Sequence, residues 1–168
     1  MISQNIGLIG AGQMATALAA GWVRGGLIDA QRLVVSDPYA AALERFDKIV
    51  PGTRIAADNA SVVAAAEIVF LAVKPQMVAG VLGELKAMQN GRSVAEPLFV
   101  SIVAGWKIER LEQALTGSRW IRVMPNTPCL VGESAMQWRL EKTSPTLKNR
   151  PFASCLTARA SLGNWPNR

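Results

Sequence analysis

At 168 residues, half of them apolar, the chain is long enough for one α/β domain with a real core, and no apolar run reaches the roughly eighteen residues of a membrane span, because Glu67 interrupts the best candidate. It has no histidine, which removes Ser-His-Asp and Cys-His catalysis and argues against zinc chemistry, and its two cysteines, Cys129 and Cys155, are too few for a disulfide framework, so a reducing cytoplasmic setting is expected. The net charge of +6 is concentrated at one end: residues 137–168 hold six Lys or Arg against one acid, the preceding 136 hold twelve against eleven, and no basic nucleic-acid face is expected on the main domain.

In chain order, Met1–Asn5 lacks the basic region of a signal peptide. Ile6–Ile9 reads as a buried strand leading into a glycine turn. A helix is expected from Gln13 to about Arg24, with Met14, Leu18 and Trp22 recurring along one face until Gly25-Gly26 stops it. Leu33–Ser36 is a second strand ended by Pro38, Ala40–Phe46 a short helix, and Thr53–Ala57 a weak third strand. Asn59 is placed to cap the helix that follows. Ile68–Val73 has the clearest strand character, Lys74-Pro75 terminates it, and Gln76–Met88 is helical with Met77, Val81 and Leu85 in register. Leu98–Val103 and Trp120–Met124 complete six strands, with a helix over Ile108–Leu115 between them. Strand and helix alternating in this way predicts a doubly wound Rossmann fold: a parallel sheet with helices on both faces, followed by an irregular C-terminal tail.

Four segments carry chemistry. Gly10-Ala11-Gly12-Gln13-Met14-Ala15 fits G-x-G-x-x-G/A directly after a strand and at the start of a helix. There Gly10 permits the tight turn, Gly12 admits a pyrophosphate to the backbone, and Ala15 lets helix and strand pack closely. The second strand ends Val35-Ser36-Asp37-Pro38. Ser36 is placed to donate to a 2′-phosphate, Asp37 would repel one, and no Arg or Lys follows to clamp it, so the choice between NADP and NAD stays open. Asp37 reads equally well as a turn cap before Pro38. Leu71-Ala72-Val73-Lys74-Pro75-Gln76 ends the fourth strand beside the topological switch point, and Val123-Met124-Pro125-Asn126-Thr127-Pro128 ends the sixth on the same edge.

Together with Ser101-Ile102-Val103-Ala104-Gly105 after the fifth strand, these segments resemble pyrroline-5-carboxylate reductase, in order and at family-like spacing from Ile6 to about Ala135. The resemblance implies NAD(P)H-dependent reduction of 1-pyrroline-5-carboxylate to L-proline, with NADP (or NAD) as cofactor, a small-molecule substrate, and no nucleic-acid or membrane partner. It implies that Ile9, Gly10, Ala11, Gly12, Gln13, Met14 and Ala15 hold the pyrophosphate and that Ser36 faces the adenosine ribose, with Asn59 near the cofactor. Ala72, Val73, Lys74 and Pro75 then run along the nicotinamide end, Val103 and Ala104 line the same side, and Asn126 and Thr127 are the polar groups nearest the substrate. No catalytic side chain is assigned, because the cofactor carries the difficult chemistry.

The resemblance fades after Ala135. Only eleven of the last 32 residues are apolar, and no helical or strand period persists. The family's helical dimerisation domain, with its Ser-Gly-Ser-Gly-Pro-Ala and Ser-Pro-Gly-Gly-Thr-Thr motifs, is not found. The expected division is therefore a dinucleotide-binding domain over 1–135 and a divergent basic tail over 136–168, poorly ordered or out of frame, which leaves the enzyme truncated and its activity open. Two other readings are a non-catalytic dinucleotide-binding module and another small Rossmann oxidoreductase, such as a β-hydroxyacid dehydrogenase or a deazaflavin-linked NADP reductase.

Overall fold

The computed structural model describes residues 2–89, 97–124 and 139–143. Its elements are β1 (Ile6–Ile9), α1 (Gln13–Arg24), β2 (Leu33–Ser36), α2 (Ala40–Ile49), β3 (Arg54–Ile55), α3 (Asn59–Ala65), β4 (Ile68–Leu71), α4 (Val78–Gln89), β5 (Leu98–Ser101), α5 (Ile108–Ala114), β6 (Arg119–Met124) and β7 (Arg139–Thr143). They form one sheet in the order β3-β2-β1-β4-β5-β6-β7. The first six strands are parallel, and the doubly wound Rossmann fold expected from the alternation is the fold observed.

Strands buried on both faces must be apolar at consecutive positions, and β1, β2, β4 and β5 are buried throughout. Successive side chains point to opposite faces and build two separate cores. Leu8, Val35, Phe70 and Val100 pack on one face beneath α1 and α2. Ile9, Val34, Leu71 and Phe99 pack on the other beneath α3, α4 and α5. Each core has an aromatic pair. Trp22 of α1 meets Phe70 of β4 at 4.9 Å between ring centres, and Phe99 of β5 stacks on Trp120 of β6 at 4.8 Å. Gly7 explains how closely α3 lies on β1, since a Cβ there would stand 2.5 Å from Val62 Cγ1 and 3.0 Å from Ala66 Cβ.

Several local expectations are corrected. The third strand is two residues long, paired at Val34 with Arg54 and at Val35 with Ile55, and its side chains are exposed. The fourth and fifth strands stop at Leu71 and Ser101, because beyond single bonds from Ala72 N–H to Ile9 O and from Ile102 N–H to Leu71 O the chain turns away into loops. The helix cap is Asp58, whose Oδ1 accepts from Ser61 N–H at 2.7 Å, while Asn59 is the first helical residue. Bonds from the Ser61 hydroxyl and amide hold the Asp58 carboxyl below its ordinary range. Met77 is 45% exposed, because Pro75–Met77 forms a 3-10 turn that rotates it off the face occupied by Val81 and Leu85.

The segment read as an irregular tail contributes β7, antiparallel to β6 with a register shift between Arg122 and Val123. A ladder of backbone bonds needs no apolar period, and the sequence Arg-Leu-Glu-Lys-Thr carries the charges that suit an outermost strand.

Two outcomes are expected. Gly7→Val lowers unfolding stability by about 1–3 kcal/mol in urea titration, since Ala66 cannot retreat without moving α3. Asp58→Ala lowers the urea midpoint at neutral pH. Because the folded carboxyl titrates below the unfolded one, its contribution is complete above the ordinary carboxylate range and is lost as pH falls through the depressed value, so the gap between variant and parent closes in acid.

Candidate functional site

Six parallel strands present their C-terminal ends on one edge of the sheet, and the strand order reverses between β1 and β4. At such a switch point the loops leaving the two strands diverge toward opposite faces and open a crevice. The loop after β1 begins at Gly10, with φ of +102°. A side chain is excluded there twice over: that φ favours glycine, and a Cβ would lie 2.7 Å from the carbonyl oxygen of Ala72. Gly10 N–H donates to Ser36 O at 2.8 Å and Ala72 N–H donates to Ile9 O at 2.9 Å, which ties the ends of β1, β2 and β4 together.

Gly12 differs in kind. Its backbone is ordinary extended chain, and a Cβ would meet nothing within 4 Å. It is exposed, as is Gln13, whereas Met14 is half-buried and Ala15 fully buried against the sheet. The N-terminus of α1 has no side-chain cap and no acid in its first turn. Amide donors and a partial positive charge therefore face open space, and this cradle fits a pyrophosphate.

At the end of β2, Ser36 is only 3% exposed and its hydroxyl donates to Asn59 Oδ1 at 2.8 Å. Asn59 Nδ2 donates in turn to Glu84 Oε2 on α4 at 2.7 Å. The Asp37 carboxylate accepts from Ala11 N–H at 2.8 Å and from Tyr39 N–H at 2.9 Å, so it caps its own turn and also pins the glycine loop. Sequence reasoning anticipated only the first of these roles. Glu84 was missed altogether, because nothing marks a helix-surface Glu as the partner of an Asn 25 positions earlier.

After β4, Ala72 and Val73 are half-buried, and Lys74 and Pro75 are exposed. Lys74 adopts the extended backbone imposed on a residue before proline. Trp106 Nε1 donates to Pro75 O at 3.1 Å, with the Arg110 guanidinium 3.9 Å over the Trp106 ring, so this loop is braced from the β5 side. Val103 is buried beside Ser101, whose Oγ accepts from its N–H at 3.4 Å, and Ala104 is exposed. The expected residues from Ile9 to Ala15, Ser36, Asn59, Ala72 to Pro75 and Val103–Ala104 thus share one edge. Asn126 and Thr127 lie outside the described residues, although β6, which leads into them, ends on that edge at Met124. Among the described residues no cluster of His, Cys, Asp or Glu could hold a metal, and no helix is long and apolar enough to cross a membrane.

Comparison with known proteins fits this architecture. The model of a family described as NADP oxidoreductase coenzyme F420-dependent matches residues 5–105. A pyrroline-5-carboxylate reductase of Methanosarcina acetivorans is 39% identical over 136 residues, 80% of this chain and 48% of that protein. Among solved structures, the pyrroline-5-carboxylate reductase of Coxiella burnetii superposes with a TM-score of 0.68 at 32% identity, over 77% of this chain and 47% of that one. The pyrroline carboxylate reductase of Plasmodium falciparum, solved with NADP bound, gives 0.69 at 27% identity, over 94% of this chain and 53% of that one. The chain spans about half the length of the curated relatives it matches. It belongs to the NADP oxidoreductase coenzyme F420-dependent family of oxidoreductases and is a relative of the pyrroline-5-carboxylate reductases.

Proposed function

We propose that residues 1–135 form the dinucleotide-binding domain of a reductase that converts 1-pyrroline-5-carboxylate to L-proline with NAD(P)H, as a step of proline biosynthesis in a reducing cytoplasm. The strand Arg139–Thr143 attaches to that domain's sheet at its edge, and the rest of 136–168 is a divergent basic segment. The observation that carries the reading is the contrast at the first turn: Gly10 is closed against Ala72, while Gly12 and the uncapped start of α1 stand open. Those amides would hold the pyrophosphate, Ser36 and Asn59 the adenosine ribose, and Ala72, Val73, Lys74, Pro75, Val103 and Ala104 the nicotinamide end. A bound reduced nicotinamide would supply hydride to the C=N carbon of the cyclic imine.

The protein's own share is alignment and exclusion of water. The buried Val103 and the braced Pro75 make one side of the cleft rigid and apolar. Asn126 and Thr127, each beside a proline of fixed φ, are the proposed substrate contacts. The partner is a small molecule, with no nucleic acid or membrane involved, and the relatives' remaining length is where oligomer contacts would be sought. A second reading, a dinucleotide-binding module without turnover, is favoured by the half-length match alone.

Titration of the chain with NADH and NADPH, followed by a proline assay with 1-pyrroline-5-carboxylate, separates these readings. Binding with proline formation supports the reductase, binding without it supports the module, and no binding overturns both. Gly12→Val is expected to weaken cofactor affinity by roughly tenfold or more, about 1.4 kcal/mol, by filling the cradle while leaving the urea midpoint near that of the parent. Gly10→Ala is expected instead to lower the unfolding free energy by about 1–3 kcal/mol, and the urea midpoint with it, because strain and overlap act on the folded chain itself.

A further inference from the structure

We propose that the ribose end of this cleft selects NAD(H) over NADP(H), through a relay from Glu84 to Asn59 to Ser36 that stands beside Asp37. The inference rests on the dinucleotide reading above and concerns the direction of hydrogen bonds.

A carboxylate only accepts, so the 2.7 Å contact with Glu84 Oε2 requires Asn59 to turn its Nδ2 that way. The Asn59 carbonyl oxygen then faces Ser36 and takes the one proton of the Ser36 hydroxyl at 2.8 Å. Ser36 was expected from sequence to donate to a 2′-phosphate. With its proton engaged, it offers a ligand only lone pairs. Asp37, the next residue, is an acceptor as well, held in place by Ala11 N–H and Tyr39 N–H. No Lys or Arg follows until Arg45, well inside α2.

The end of β2 therefore presents acceptors and negative charge in a partly buried setting. A ribose with free 2′- and 3′-hydroxyls brings matching donors. A 2′-phosphate brings only acceptors and, near neutral pH, about two negative charges, and the segment that leaves β2 offers no Lys or Arg before Arg45 to receive them. The family description and the Plasmodium falciparum neighbour both carry NADP, so the proposed preference is one in which this chain would differ from them.

The test is a pair of dissociation constants for the full chain, NADH and NADPH at equal ionic strength, read from nicotinamide fluorescence. NADH is expected to bind at least about tenfold more tightly. Asp37→Ser should narrow that gap by relieving repulsion. Glu84→Gln should narrow it by a separate route, since a glutamine can present its NH2 to Asn59, reverse that amide and return the Ser36 proton to the ligand. Circular dichroism confirms that each variant is folded, and since Glu84 is exposed its replacement leaves both cores intact. Equal or tighter NADPH binding by the parent overturns the inference, as does a ratio that neither folded variant changes. Absence of binding by both cofactors overturns the dinucleotide reading itself and is distinguishable for that reason.

Discussion

At the switch point the turn after β1 packs directly against the chain leaving β4. With the Gly10 Cα held so near the Ala72 carbonyl that a single methyl group would overlap it, two neighbouring strands can release their chains toward opposite faces from almost the same point. Bonds from Gly10 N–H to Ser36 O and from Ala72 N–H to Ile9 O add the end of β2 to this junction. Everything proposed for the cleft inherits its geometry from that contact, because the loops that would touch a cofactor start there.

Rigidity behind the junction comes from a sheet buried on both sides. Alternation along β1, β2, β4 and β5 supplies two independent cores, so a loop anchored at the strand ends is supported from both faces. Gly7 brings α3 down onto β1, and the Trp106 bond to Pro75 fastens the β4 loop to the segment after β5. A site built on such a platform has its amides and carbonyls placed before any ligand arrives, which is the condition for binding and hydride alignment without reorganisation.

The polar groups at the ribose end form a second system. Ser36, Asn59 and Glu84 come from β2, α3 and α4, and their two short bonds link elements that the apolar cores bring together for other reasons. Asp37 joins β2 to the glycine loop directly. The polarity of the cleft therefore follows from how helices α3 and α4 dock, and not from the glycine motif, which is shared by readers of both cofactors.

Local chemistry was enough to predict most of the architecture. Apolar runs of four or five residues, alternating with helical periods, announce a parallel sheet because only strands covered on both faces have that composition. The turn at Gly10 and Gly12 is legible for a similar reason: a tight turn and a close backbone approach each exclude side chains, and only glycine satisfies both. What tertiary structure decided were the partners. The strand Arg139–Thr143 carries no apolar period and is defined only by its ladder to β6. Asp58 rather than Asn59 caps α3 because cap and first helical residue differ by one position and both side chains can serve. The donor or acceptor character of Ser36 depends on Glu84, 48 positions away, since the direction of a hydrogen bond is a property of the pair and a linear sequence holds only one member at a time.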